Sequence, residues 1–160
     1  MADIILKTIK TPCIGVCSTG IGDTVCRGCK RFAHEVIHWN SYSQEQKQLI
    51  DERLGFFLAQ IVASKLTVVD ADKLAFRLRQ QQITFSSQKS PFIWAYELLR
   101  AGASQIDDVN DYGLHLNAEF QAQPLVELRR IIDHEFYILS EAHYQRYFNL
   151  AGSVGNMVTE

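Results

Sequence analysis

Apolar residues recur at helical spacing along most of this chain, and the first thirty residues are the exception. From residue 44 onward, Ile50, Leu54, Phe57, Leu58, Ile61 and Val62 share one face of a helix expected to run to about Leu66. Ser43 and Gln46 stand at the spacing of a capping box in front of it. Asp70 is placed to cap a third helix with Leu74, Ala75 and Leu78 facing inward. Ser90-Pro91 is a start signal, because proline suits the first helical position. Phe92, Ala95, Tyr96 and Leu99 form the inner stripe of that helix, and Gly102 is its stop. Residues 103–122, with Asp107, Asp108, Asn110, Asp111 and Gly113, predict a turn-rich connection with room for one short helix. Pro124 opens the last helix, in which Leu125, Leu128, Ile132, Phe136, Leu139 and His143 trace one face to about Tyr147.

The amino-terminal part reads differently. Residues 1–12 look extended, with Ile4, Ile5, Leu6 and Ile9 apolar and Pro12 ending the segment. Residues 13–29 hold Gly15, Gly20, Gly22 and Gly28, too many for a regular element and well suited to tight corners. Phe32, Val36 and Trp39 then fall about one turn apart and predict a short helix over 30–39, broken by Asn40 to Ser43. There is no repeat, no low-complexity segment and no alternating strand pattern. The expected class is all-α, with a loop-rich amino-terminal segment ahead of a helical bundle.

Composition agrees with a folded globular chain. Of 160 residues, 47% are hydrophobic and 21% charged. A chain of this length buries roughly 70% of the surface it exposes when unfolded, so it needs no disulfides. A net charge of −2 gives no bias towards nucleic acid or an anionic membrane. No stretch approaches the roughly 20 apolar residues of a membrane helix. The amino end has a short apolar run, Ile4 to Leu6, without a small-residue cleavage site, so a signal peptide is not expected. The expected location is the cytoplasm, where thiols stay reduced.

That expectation changes how the cysteines read. Cys13, Cys17, Cys26 and Cys29 are the only four in the chain, spaced as Cys-x3-Cys-x8-Cys-x2-Cys. Two close pairs joined by a short loop let one chain surround one ion. In a reducing compartment such clustering points to metal or redox chemistry rather than a disulfide framework. Four thiolates suit tetrahedral zinc, at about 2.3 Å from each sulfur, and equally an iron–sulfur cluster. Arg27, Lys30 and Arg31 flank the second pair and would offset the negative charge of a four-thiolate centre; together with Trp39 they are the candidates for supporting the ligands or touching a partner. Cys29 also precedes the predicted helix, whose N-terminus favours negative charge. Buried apolar thiols without a metal fit the spacing less well. So does a Cys26/Cys29 redox pair, which lacks the preceding strand and long following helix of a thioredoxin-like site.

The motif Pro12-Cys13-Ile14-Gly15-Val16-Cys17, then Cys26-Arg27-Gly28-Cys29-Lys30-Arg31, then Glu35-Val36-Ile37 and Trp39, resembles a small bacterial four-cysteine family of unknown function. Its members are often labelled "predicted iron–sulfur protein". The family pattern reads PCxGVC, CxGCxR and E-I-x-x-W, followed by Met-Ser at the next helix. Here Val36 replaces the isoleucine, Tyr42-Ser43 replaces Met-Ser, and Phe32 replaces a common threonine. The resemblance spans about residues 11–54. It implies that the four cysteines are metal ligands, and it implies no reaction.

Other clusters are less persuasive. Glu35-Val36-Ile37-His38 is a single Glu-x-x-His unit, where a di-iron bundle needs two, and it reads as a solvent-facing pair. His134-Glu135 lacks the second histidine of a zincin. Asp107, Asp108 and Asp111 lack EF-hand spacing and read as turn and cap residues. His143 reads as a core or boundary histidine, and Trp39 as a cover for the metal module. Residues 1–40 carry five Lys/Arg against three Asp/Glu, too small a surplus for a phosphate-binding footprint. No nucleophile–base pair or glycine-rich phosphate loop is found, so an enzyme is not expected.

The resulting expectation is a four-cysteine metal module (residues 1–42), a helical bundle (43–150) and a flexible tail (151–160). Zinc is favoured over an iron–sulfur cluster because all four ligands lie in a compact segment that needs a folding device. The expected role is a non-catalytic adaptor or regulatory protein that docks a protein partner. The alternatives are an iron–sulfur electron-transfer or redox-sensing protein and, less well supported, a nucleic-acid-binding zinc module.

Overall fold

A computed structural model of the chain describes residues 8–155. The expected extension of residues 1–7 and the last five residues of the expected tail lie outside them. Among the described residues there are five α-helices: α1 (Ala33–His38), α2 (Gln44–Ala63), α3 (Ala71–Gln80), α4 (Pro91–Gly102) and α5 (Leu125–Gly155). They divide into two compact units. One contains residues 8–54 and 137–155, the other residues 55–136, so α2 and α5 each contribute a segment to both.

The helix starts follow their local signals. Ser43 and Gln46 form a reciprocal capping box: Gln46 N donates to Ser43 Oγ at 3.2 Å, and Ser43 N donates to Gln46 Oε1 at 2.9 Å. Asp70 accepts from Lys73 N at 3.0 Å and starts α3. Ser90 accepts from Phe92 N ahead of Pro91. Every residue of the predicted inner face of α2 is buried, as are Leu74, Ala75 and Leu78 of α3.

The chain is mostly helical but not purely so. β1 (Leu66–Val68) pairs antiparallel with β2 (Leu114–Leu116), in the register Leu66 with Leu116 and Val68 with Leu114. Gly113 makes the approach to this ribbon possible. Its φ is +72°, and a Cβ there would lie 2.4 Å from the Asp70 carbonyl oxygen. That closeness lets the Gly113 carbonyl accept from both Val69 N and Asp70 N. Asp108 caps the 3-10 turn Val109–Tyr112 by accepting from Asn110 N at 2.9 Å, the cap role expected of this acidic stretch.

Three expectations shift. α4 buries Ala95, Leu98 and Leu99, while Phe92 and Tyr96 are half-buried. α5 runs to Gly155 rather than Tyr147, and its buried row is Leu128, Ile132, Phe136 and Ser140. The row follows i to i+4 steps, so it passes through Ser140 instead of Leu139, and His143 is exposed. Among the described residues no helix is long and apolar enough to cross a membrane.

Candidate metal centre

Cys26 and Cys29 sit at the tip of a short hairpin. Val25 and Phe32 form a β-bridge, and Ala33 N donates to Thr24 O at 2.8 Å. Inside it, Cys26 N donates to Arg31 O at 2.9 Å and Lys30 N to Cys26 O at 2.8 Å. Closing so tight a turn puts Lys30 at φ +65°, which a side chain rarely adopts. The Lys30 side chain is 1% exposed and folds back on its own turn, where Nζ donates to Arg27 O at 2.6 Å and to Gly28 O at 3.2 Å.

The turn aims backbone N–H groups at sulfur. Burial pushes the Cys26 thiol up, but hydrogen bonds from Cys29, Ser18 and Gly28 backbone, with one from the Cys29 side chain, outweigh it and bring it to about 7. Burial dominates at Cys29 and pushes its thiol up, against the lowering effect of Arg31, whose Nε lies 3.2 Å from Cys29 Sγ. These donors come from the turn and, through Ser18, from the loop before it. α1 begins only at Ala33, so the helix N-terminus expected behind Cys29 plays no part.

The other pair lies on a loop that crosses this turn. Cys26 Sγ is 3.5 Å from Val16 O, and Arg27 N donates to Ser18 Oγ at 2.8 Å. A Cβ on Gly28 would lie 2.3 Å from Val16 O, so only glycine allows the approach. Cys13 and Cys17 are nevertheless exposed, whereas Cys26 and Cys29 are buried. Cys13 Sγ accepts from Gly15 N at 3.4 Å, and Cys17 Sγ lies 3.2 Å from Thr19 Oγ1. The structure therefore brings Cys26 and Cys29 together in the interior and leaves Cys13 and Cys17 exposed. Among the described residues, no three His, Cys, Asp or Glu side chains are gathered as they would be around a metal ion.

The flanking residues separate into different roles. Arg27 is mostly exposed, paired with Asp23 at 3.1 Å, and lies 4.7 Å from the Tyr137 ring centre. Arg31 and Trp39 are buried, with the guanidinium 4.9 Å from the indole centre. Lys47 Nζ also approaches that indole, at 5.5 Å. Trp39 thus packs against the cation that touches Cys29.

Glu35 is a correction. It is 5% exposed rather than solvent-facing. Its Oε1 accepts from Phe32 N at 2.8 Å, and Arg53 clamps both carboxylate oxygens at 2.6 and 2.7 Å. The Arg53 guanidinium also lies 4.1 Å from the Phe32 ring centre. His38, its supposed partner, is exposed.

Sequence reasoning missed the aromatic row on α5. Tyr144 meets Phe32 edge-on at 5.3 Å, and Phe148 meets His34 at 5.9 Å. Tyr137, Tyr144 and Phe148 stand seven and four residues apart, a helical spacing visible in the sequence. The apolar stripe drawn through Leu139 and His143 hid it.

A family model described as "Protein of unknown function (DUF1289)" matches residues 11–55, the stretch that contains all four cysteines and the Glu35–Trp39 helix. The match supports the resemblance to a small family of unknown function. No curated protein matches the chain, and no solved structure does.

Proposed function

We propose that residues 11–33 form a four-cysteine metal module with a structural role, and that the chain is a non-catalytic adaptor presenting this module to a protein partner. The observation that carries the reading is the Cys26–Cys29 turn. It buries both cysteines, with backbone N–H groups around Cys26 and the Arg31 Nε 3.2 Å from Cys29 Sγ. Such donors stabilise thiolates and fix the ligand geometry.

Cys13 and Cys17 fit the set by their position in the chain, although both are exposed. Their loop already rests on the turn through Val16 and Ser18. A four-sulfur shell would draw Cys13 and Cys17 to the buried pair and so couple ion binding to the folding of residues 13–29. Zinc held by four thiolates has no open position for substrate and acts by folding its surroundings, which favours structure over catalysis.

Elemental analysis of protein purified without oxygen tests this. Colourless protein with one zinc per chain is expected. Brown protein whose visible absorption bleaches with dithionite would replace the zinc by an iron–sulfur cluster and favour electron transfer. Protein carrying neither, and taking up neither on reconstitution, overturns the metal reading.

A further inference from the structure

Arg31 is a buried cation that no carboxylate among the described residues faces as an ion pair. It is 4% exposed, its Nε donates to Cys29 Sγ, and its guanidinium rests against Trp39. Among the described residues no carboxylate forms an ion pair with it. The two other arginines of this region have theirs: Asp23 for Arg27 and Glu35 for Arg53. Burying a charge is costly unless something of opposite sign faces it. The atom that faces Arg31 is sulfur. A thiolate at Cys29, as part of a net negative four-thiolate centre, supplies the missing charge.

We infer that Arg31 is the positioning residue of this centre: stacked on Trp39, it holds the Cys29 sulfur as a ligand and governs how tightly the ion is kept. The inference rests on the metal-binding reading above. A planar guanidinium can stack on an indole and still direct one N–H at a sulfur. A lysine ammonium keeps the charge but is a compact point without that shape. Trp39 supplies the face and also attracts the cation electrostatically.

The test uses the full-length chain, stripped of metal and titrated with cobalt(II), with zinc added back in competition. Sulfur-to-cobalt charge-transfer absorption reads the ligands directly. Arg31→Met should weaken zinc binding roughly 10- to 100-fold, the range seen when a residue supporting a metal ligand is removed. It should also move the charge-transfer band to lower energy, because a thiolate without its donor gives up electrons more readily. Arg31→Lys should fall between, and Trp39→Phe should stay nearer the wild type. A purely structural arginine would not move the band. Wild-type band and affinity in Arg31→Met overturn the inference while leaving the metal reading intact. If wild-type protein gives no sulfur-to-cobalt band, the metal reading fails and takes the inference with it. Should Arg31→Met lose its far-ultraviolet circular dichroism, Arg31→Lys decides: an unmoved band and unchanged affinity there overturn the inference.

Discussion

The two units of this molecule have different interiors. In residues 55–136, Leu66, Leu74, Leu78, Leu98, Leu99, Leu114, Leu128 and Ile132 are each at most 1% exposed. Apolar burial of this kind contributes about 1.5–3 kcal/mol per large side chain. Around the cysteines, Val25, Cys26 and Trp39 share the interior with Lys30, Arg31 and Glu35. Buried charges stabilise poorly on their own account, since desolvation offsets much of their attraction. The cysteine hairpin is also short, with one isolated bridge and a six-residue helix after it. Residues 55–136 thus have an apolar core, while the interior around the hairpin includes charged groups that apolar burial does not stabilise.

Removing the proposed ion should break that comparison most sharply. In metal-loaded protein, Cys26→Ser or a strong chelator should abolish binding worth on the order of 10 kcal/mol for a structural zinc. Amide exchange should rise across residues 13–33, while α3 and α4 keep their protection. Equal protection of residues 13–33 before and after would show that the hairpin stands without a metal.

The reverse perturbation belongs in the other unit. Leu78 is fully buried in α3. Leu78→Ala removes its contacts and leaves a cavity, for an expected loss of about 2–5 kcal/mol. Chemical denaturation should show the lower stability, and metal content per folded chain should not change. A parallel loss of metal would mean that the two regions do not respond separately.

The part of the fold legible in the sequence is the part written locally. Ser43, Asp70, Ser90 and Pro91 mark helix starts because a cap acts within three residues of itself. The β1–β2 ribbon was not legible. Each strand is three residues long, too short to display alternation, and its partner lies far along the chain. Glu35 read as a surface residue because its partner Arg53 is 18 residues away, on another helix. At the candidate site, spacing singled out four cysteines as candidates, and the sequence beside them the neighbouring cations. Neither could say that Cys26 and Cys29 are buried while Cys13 and Cys17 are exposed. That asymmetry comes from how the loop crosses the turn, which only the backbone path reveals.

Gly28 gives the finest probe of that crossing. Its position in Cys26-Arg27-Gly28-Cys29 could reflect a need for positive φ, but it is not among the positive-φ glycines of the described residues. The constraint is instead the Val16 carbonyl oxygen, 2.3 Å from where a Cβ would sit, with Ile14 Cγ1 at 3.2 Å. Both are on the Cys13–Cys17 loop, and the nearer one is backbone. Gly28→Ala must therefore push that loop off the turn, at a cost of about 1–3 kcal/mol, as for other overpacked contacts. Gly20 is the control, because a Cβ there meets nothing within 4 Å. The expected outcome is weaker metal retention in Gly28→Ala, with α3 and α4 unaffected, and unchanged retention in Gly20→Ala. Equal retention in the two variants would mean that the Cys26–Cys29 turn does not need the loop in its present place, and the second cysteine pair would lose its claim to the same ion.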